Sequence, residues 1–446
     1  MLLIAWIFNN SKLKIEKKDN ILYRERKTLI YIFLFYAIFI FLITGKTGTG
    51  HMTFLGNEDL FFWAADSKGY RVLSEYYYTF GNVATPPSVL FLIRPYFYPV
   101  FLSIHKMIGI AGFQLFQIIL NVISIFFIYN SILLLTNKKY ISIIFSTILA
   151  ITPTFNLIVY YALTETLTIF ILSLFIYFFT KGYINKEIRE YFFAGITISL
   201  LVCIKGNFLP FFFIYFIFLC YNLIKIKNKK TSILMLIIIL IPILIQLANT
   251  YALTGNPTIS IAGEDNFNNR FFPVVYGFGE SQNKNFIDYK SEEARTADII
   301  YPDTASKLTY IIKNPGALIK TYHYLLVYEN LLTDSNFVKL PGNLVYKNAT
   351  IESDLKKFSR DLNKYFYNAH IIFIFVMFLF LLSKTTSWSL KSYLIILYLL
   401  MFSLLLASPL VYWQGDRIIL IAEPVWLIIY SYLTSFLINR VDYIYG

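Results

Sequence analysis

"KIKNKKTSILMLIIILIPILIQLAN", Lys225–Asn249, decides the fold. Four lysines lead into a stretch, 231–249, that carries no charged side chain. A run of that length and apolarity matches one helix across a hydrocarbon core, where every backbone N–H and C=O must be satisfied within the segment. The lysines at its entry mark the cytoplasmic side, because basic residues of short loops stay inside. Working outward, the pattern recurs. Apolar runs near 28–45, 113–135, 141–158, 163–180, 191–204, 208–224, 231–249, 368–383, 392–409 and 418–437 predict about ten transmembrane helices. With the Lys-rich N-terminus inside, "NKK" (137–139), "KGYINKEIR" (181–189), "KIKNKK" (225–230), "SKTTSWSLK" (383–391) and the C-terminal "NRVDYIYG" all fall inside too. Span count and charge rule agree on an all-α polytopic membrane protein with both termini in the cytoplasm.

Composition points the same way. Hydrophobic residues make up 57% and charged residues 15% of the 446, against about 25% charged in a soluble domain. The net charge of +13 sits in short loops between spans, which argues against a nucleic-acid partner. Cys203 and Cys220 form no disulfide framework, and neither they nor His51, His105, His323 and His370 show metal-ligand spacing; the sequence indicates no cofactor, and leaves a divalent metal open without indicating one. The N-terminal run lacks a cleavage site and is expected to remain as an anchor. "GKTGTG" at 45–50 has Ile40 where a phosphate-binding loop needs its first glycine, and it follows a span rather than a strand, so it reads as a loop. "NAT" at 348–350 is a chance triplet.

Three regions follow. Residues 1–249 form an N-terminal transmembrane module with a long outer loop, 46–112; residues 250–367 form a polar periplasmic segment; residues 368–446 form the C-terminal helices. Within the outer loop, 93–110 is apolar but interrupted by Arg94, Pro95, Pro99, His105 and Lys106, and reads as an interfacial or partly inserted helix.

The charges on the outer side carry the chemistry. Asp66 and Tyr70, and Arg71 and Glu75, stand four residues apart, so each pair shares a helix face. That fits a set of solvated charges on an interfacial helix as well as it fits a site. Arg94 and Lys205 are cations at outer span ends, against the positive-inside trend. Each needs a partner or a path to water. Phosphate is a natural partner, for which Arg offers a fork of donors and Lys a point charge. Glu165 begins the fourth span. A carboxylate costs about 2.5–3.5 kcal/mol at a bilayer centre, and far less at the interface.

The order of these motifs is familiar: "DSKGYRVLSEYY" (66–77), "RPYFYP" (94–99), "ITPTF" (151–155) with "TETL" (164–167), "IKGNFLP" (204–210), "YALTGNPTISIAGEDNF" (251–267) and "GDRIILIAEP" (415–424). The series resembles the GT-C superfamily of polyprenyl-phosphate-sugar glycosyltransferases, in the branch with lipid A aminoarabinose transferase and the protein O-mannosyltransferases. The resemblance implies Asp66 as catalytic base, with Arg94, Lys205 and Arg417 at the donor phosphate. It implies Tyr70, Glu165 and Glu423 around the substrate cavity; Asp59, which precedes the aromatic run "LFFWAA" in the same loop at a spacing that does not fit the family, is a further cavity residue and the competing base candidate. The chain departs from the family pattern at Ser67, where a glutamate often follows the aspartate, at the single Arg94-Pro95, and at Gly263-Glu264 in place of a glycine pair. These departures bear on substrate more than on reaction class.

The implied reaction is an inverting transfer of a monosaccharide from undecaprenyl phosphate to a surface glycan or glycolipid, such as O-antigen or lipid A, on the periplasmic face of a bacterial inner membrane. One base suffices for a single displacement. Protein O-mannosylation is the nearest alternative. An O-antigen polymerase and a lipid-linked oligosaccharide flippase are the alternatives from other classes, and the gathering of charges at outer span ends favours the transferase.

Overall fold

A computed structural model describes residues 31, 32, 34, 36, 55–62, 64–82, 88–224, 229–280, 297, 299–325, 349–382, 387–407 and 416–445. Every regular element among them is helical: α1 Glu58–Phe61, α2 Ala65–Tyr78, α3 Ser88–Ile93, α4 Phe97–Leu102, α5 His105–Thr136, α6 Lys139–Ile151, α7 Pro153–Leu157, α8 Glu165–Asn185, α9 Ile188–Ile204, α10 Leu209–Ile224, α11 Lys229–Thr254, α12 Ala262–Asn266, α13 Phe272–Glu280, α14 Thr304–Lys313, α15 Pro315–His323, α16 Ala349–Leu382, α17 Trp388–Ala407 and α18 Asp416–Tyr445. Short 3₁₀ turns (Ile158–Tyr160, Gly206–Phe208) and a π turn (Phe267–Phe271) join some of them.

Six described helices are long and apolar enough to cross a membrane, or seven if α6 and the stretch Thr154–Tyr160, bent by 60°, count as one. The predicted spans fall on these helices and on two shorter ones, α9 with 17 residues and the apolar part of α16, Asn368–Leu382. The span near 28–45 lies mostly outside the described residues, as do "GKTGTG" and His51.

Tight turns join successive helices. Asn137 after α5 and Lys186 after α8 take left-handed backbone conformations, φ 53° and 57°, which end each helix and reverse the chain. α8 packs against both α5 and α9, and α9 against α11. Where α9 meets α11, Gly195 lets the backbones approach. A Cβ there would lie 2.6 Å from Ile239 Cδ1, and Ser199 Oγ donates to Ile239 O at 2.6 Å. Small residues at such crossings are how membrane helices gain contact without a hydrophobic driving force.

One expectation needs amending, and two further features add to the reading. The stretch 93–110 is not one helix. It is broken into α3, α4 and the start of α5, with Pro95 preceding α4 and Pro99 inside it. At about 1.5 Å per residue such pieces are far too short to span. Gly109, at φ 74° and ψ 167°, then separates His105–Ile108 from the rest of α5. The polar stretch 349–367 is helical and continuous with the following span in the 34-residue α16. Finally, the segment after α11 holds a small core of its own, with Phe271, Phe272, Val275, Ala297, Tyr310, Ile311, Ala317 and Leu325.

A row of amides fixes the bend that follows α6. Gln114, Gln117 and Asn121 share one face of α5 and are fully buried. Gln114 Nε2 donates to Tyr160 O at 3.0 Å, Gln117 Nε2 to Val159 O at 2.8 Å, and Asn121 Nδ2 to Phe155 O at 2.8 Å. Irregular backbone inside a bundle needs such partners. The bend brings Ala162 N to Phe61 O at 2.8 Å, which seats the start of α8 beside α1.

Candidate active site

The site gathers where α3 and α9 end and α2, α4 and α8 begin. α2 forms because its polar and aromatic residues alternate with helical period, and it stops at Phe80 and Gly81, both at positive φ (52° and 85°). Asp66 lies in its first turn, where a negative charge meets the exposed N–H groups of the helix start favourably.

Asp66 is not merely solvated. Its Oδ1 accepts from Arg94 Nη2 at 2.5 Å, and the two side chains are 18% and 23% exposed. Tyr70, one turn on, is buried. Its ring lies 4.9 Å from the Arg94 guanidinium carbon, its OH is 3.5 Å from Arg94 Nη1, and Tyr98 packs edge-on against it at 4.7 Å. The face predicted for Asp66 and Tyr70 is therefore the face that receives Arg94. Burial works against the charge on Arg94, but Tyr70 and Asp66 outweigh it and hold the guanidinium above its ordinary value, so it stays cationic. Its Nε is buried and meets no acceptor among the described residues. The nearby Gly69 would place a Cβ 4.0 Å from that nitrogen.

A second pair lies on α8 and α9. Glu165 is in the first turn of α8 and fully buried; Lys205 caps α9, and its Nζ donates to Glu165 Oε1 at 2.6 Å. Each charge sits at the favourable end of its helix. The loop after α11 ties this pair to the first. Ser260 Oγ donates to Ile93 O at 2.7 Å and Ile261 N to Leu92 O at 2.9 Å. A Cβ on Gly206 would lie 3.5 Å from Ser260 Cβ. The motifs at 94–99, 204–210 and 251–267 thus converge.

The remaining predicted residues lie on α1 and α18. Glu423, on α18, is buried and its Oε1 accepts from Thr152 Oγ1 at 2.7 Å. That contact joins the "ITPTF" and "GDRIILIAEP" motifs. Asp59 is exposed on α1. Arg417 is in the first turn of α18, and its side chain lies outside the description. Arg71 and Glu75 share a face but turn to different elements: Arg71 to Glu58 at 2.5 Å, Glu75 to Lys106 at 3.5 Å. Among the described residues no three His, Cys, Asp or Glu side chains stand together as a metal site.

Residues 86–247, which take in α3 through most of α11, match the family model described as dolichyl-phosphate-mannose-protein mannosyltransferase. Over that stretch the chain is similar to GT-C-type glycosyltransferases that use a lipid-linked sugar. The matched stretch includes Arg94, Glu165 and Lys205, and Asp66 lies before it. No curated protein and no solved structure matches the chain.

Proposed function

We propose that this protein moves a monosaccharide from a polyprenyl-phosphate donor, undecaprenyl phosphate in a bacterial inner membrane, to a hydroxyl of a surface glycan or glycolipid such as O-antigen or lipid A. The observation that carries this is the Asp66–Arg94 pair with its buried, unengaged Nε. A buried donor on a guanidinium asks for an anion, and a lipid phosphate supplies one at the depth where this chain's cations sit.

In this reading the site faces the periplasm, both termini are cytoplasmic, and 250–367 lies outside. Asp66 takes the proton of the acceptor hydroxyl as that oxygen attacks the anomeric carbon. The bond from that carbon to the phosphate oxygen breaks, and the electron pair leaves with the lipid phosphate. Negative charge grows there, beside Arg94 and Lys205, where fixed cations stabilise the transition state more than the ground state. Attack opposite the leaving group inverts the anomeric centre. The carboxylates of Asp66 and Glu165 keep both cations paired before the donor arrives.

The family description favours a second reading of the acceptor, a protein hydroxyl. Comparison of surface glycans and secreted proteins from cells with and without the gene, by mass spectrometry and NMR, separates the readings. Loss of one sugar from a glycan or glycolipid supports the proposal. Loss of a sugar from protein supports the second reading, and a change in polymer length alone contradicts both.

A further inference from the structure

Gln246 stands on α11, a helix otherwise apolar for most of its length, and it is 1% exposed. A primary amide in such a place is retained at a cost unless all its hydrogen-bonding groups are used. Here they are. Its Oε1 accepts from Tyr96 N at 2.8 Å; its Nε2 donates to Ile259 O at 3.1 Å and to Thr250 Oγ1 at 3.0 Å. Two of these partners are backbone groups on separate loops. Tyr96 is two residues after Arg94, and Ile259 is one residue before Ser260, whose hydroxyl holds Ile93 O. The amide therefore clips the loop that carries Arg94 to the loop that lies against Gly206, next to Lys205.

We infer that Gln246 is a positioning residue for donor binding: it fixes the Arg94 loop at the distance from the 257–262 loop at which Arg94 meets the phosphate. Both Nε2 hydrogens are spent and Oε1 is turned to Tyr96 N in a site 1% exposed, so Gln246 acts through the backbone of Tyr96 and not by touching substrate. The inference rests on the reading of Arg94 as a phosphate contact. The bond to Tyr96 N matters most, because Pro95 supplies no N–H and leaves Tyr96 as the first residue after Arg94 that can be held in this way.

The test is donor and acceptor kinetics of purified full-length protein in lipid nanodiscs, with a polyprenyl-phosphate sugar. Gln246→Leu should raise the donor KM about tenfold, the scale of one lost hydrogen bond, with acceptor KM within twofold of wild type. A second pair of variants reads the same bond from its other end without touching α11. Tyr96 has φ −68°, which proline adopts. Tyr96→Pro deletes the N–H, and Tyr96→Ala deletes the side chain alone. Tyr96→Pro should show a donor KM about tenfold above that of Tyr96→Ala. Arg94→Ala in the same assay separates the two claims. If it raises the donor KM while Tyr96→Pro equals Tyr96→Ala, the role of Gln246 is overturned and the phosphate reading stands. If Arg94→Ala leaves the donor KM unchanged, the phosphate reading itself fails. Should Gln246→Leu not fold, the Tyr96 pair decides.

Discussion

Replacing Lys205 with methionine removes a charge that a fully buried carboxylate depends on. Glu165 is 0% exposed and Lys205 17% exposed, with Nζ and Oε1 2.6 Å apart. At an effective dielectric constant of about 20, two unit charges at that distance attract by about 6 kcal/mol. Desolvation offsets much of this in the intact pair, so its net worth is small. Removing one partner is different, because the other stays buried and uncompensated at a cost of about 3–5 kcal/mol. Lys205→Met should therefore lower stability by about that amount in SDS titrations of detergent-solubilised protein followed by tryptophan fluorescence. Glu165→Gln should cost less, since the lysine stem can carry its ammonium toward water. The double variant should regain most of the stability and still use the donor poorly, because the cation beside the phosphate is gone. A Lys205→Met protein as stable as wild type would refute the buried pairing. A double variant that regains transfer as well as stability would make the pair purely structural and remove Lys205 from the donor site.

Arg94→Ala should weaken donor use by about ten- to a hundredfold and Arg94→Lys should recover part of it, since a point charge replaces a fork; transfer at varied donor concentration measures both. Gly195→Val should destabilise by roughly 1–3 kcal/mol through overpacking against Ile239, read by the same SDS titration, with little change in donor KM for the protein that remains folded. Cysteines placed at Ile312 and at Lys186 should label from opposite sides of spheroplasts, Ile312 from outside; labelling of both from one side would overturn the topology.

The spans were legible because lipid leaves the chain few choices: a long run without charge must be helical. The Asp66–Tyr70 face was legible from spacing, and Arg94 was legible as a cation in need of a partner. That the partner is Asp66 was not, because spacing orders residues along one helix and says nothing of which element crosses it. Arg71 and Glu75 show the same limit: they share a face, yet Glu58 and Lys106 capture them. The breaks in 93–110 were written in Pro95, Pro99 and Gly109, and the apolar average concealed them. The helical 349–367 was hidden by its polarity, since hydropathy marks where a helix enters lipid and not where it starts. Gln246 and the row Gln114, Gln117, Asn121 went unread although their signal was present. Amides on one face of an apolar helix are costly and need partners; the partners are backbone carbonyls and N–H groups far away in sequence, which no local pattern names.

The central claim is that Asp66 takes the acceptor's proton. Asp66→Asn keeps the size of the side chain and its place near Arg94 but removes the base, so purified protein given a polyprenyl-phosphate sugar and acceptor should transfer sugar about 10²–10⁴-fold more slowly than wild type, with donor KM changed far less. Asp59→Asn, measured beside it, should remain close to wild type. An Asp66→Asn protein that transfers sugar at the wild-type rate would contradict the account, and an inactive Asp59→Asn protein next to it would move the base to Asp59.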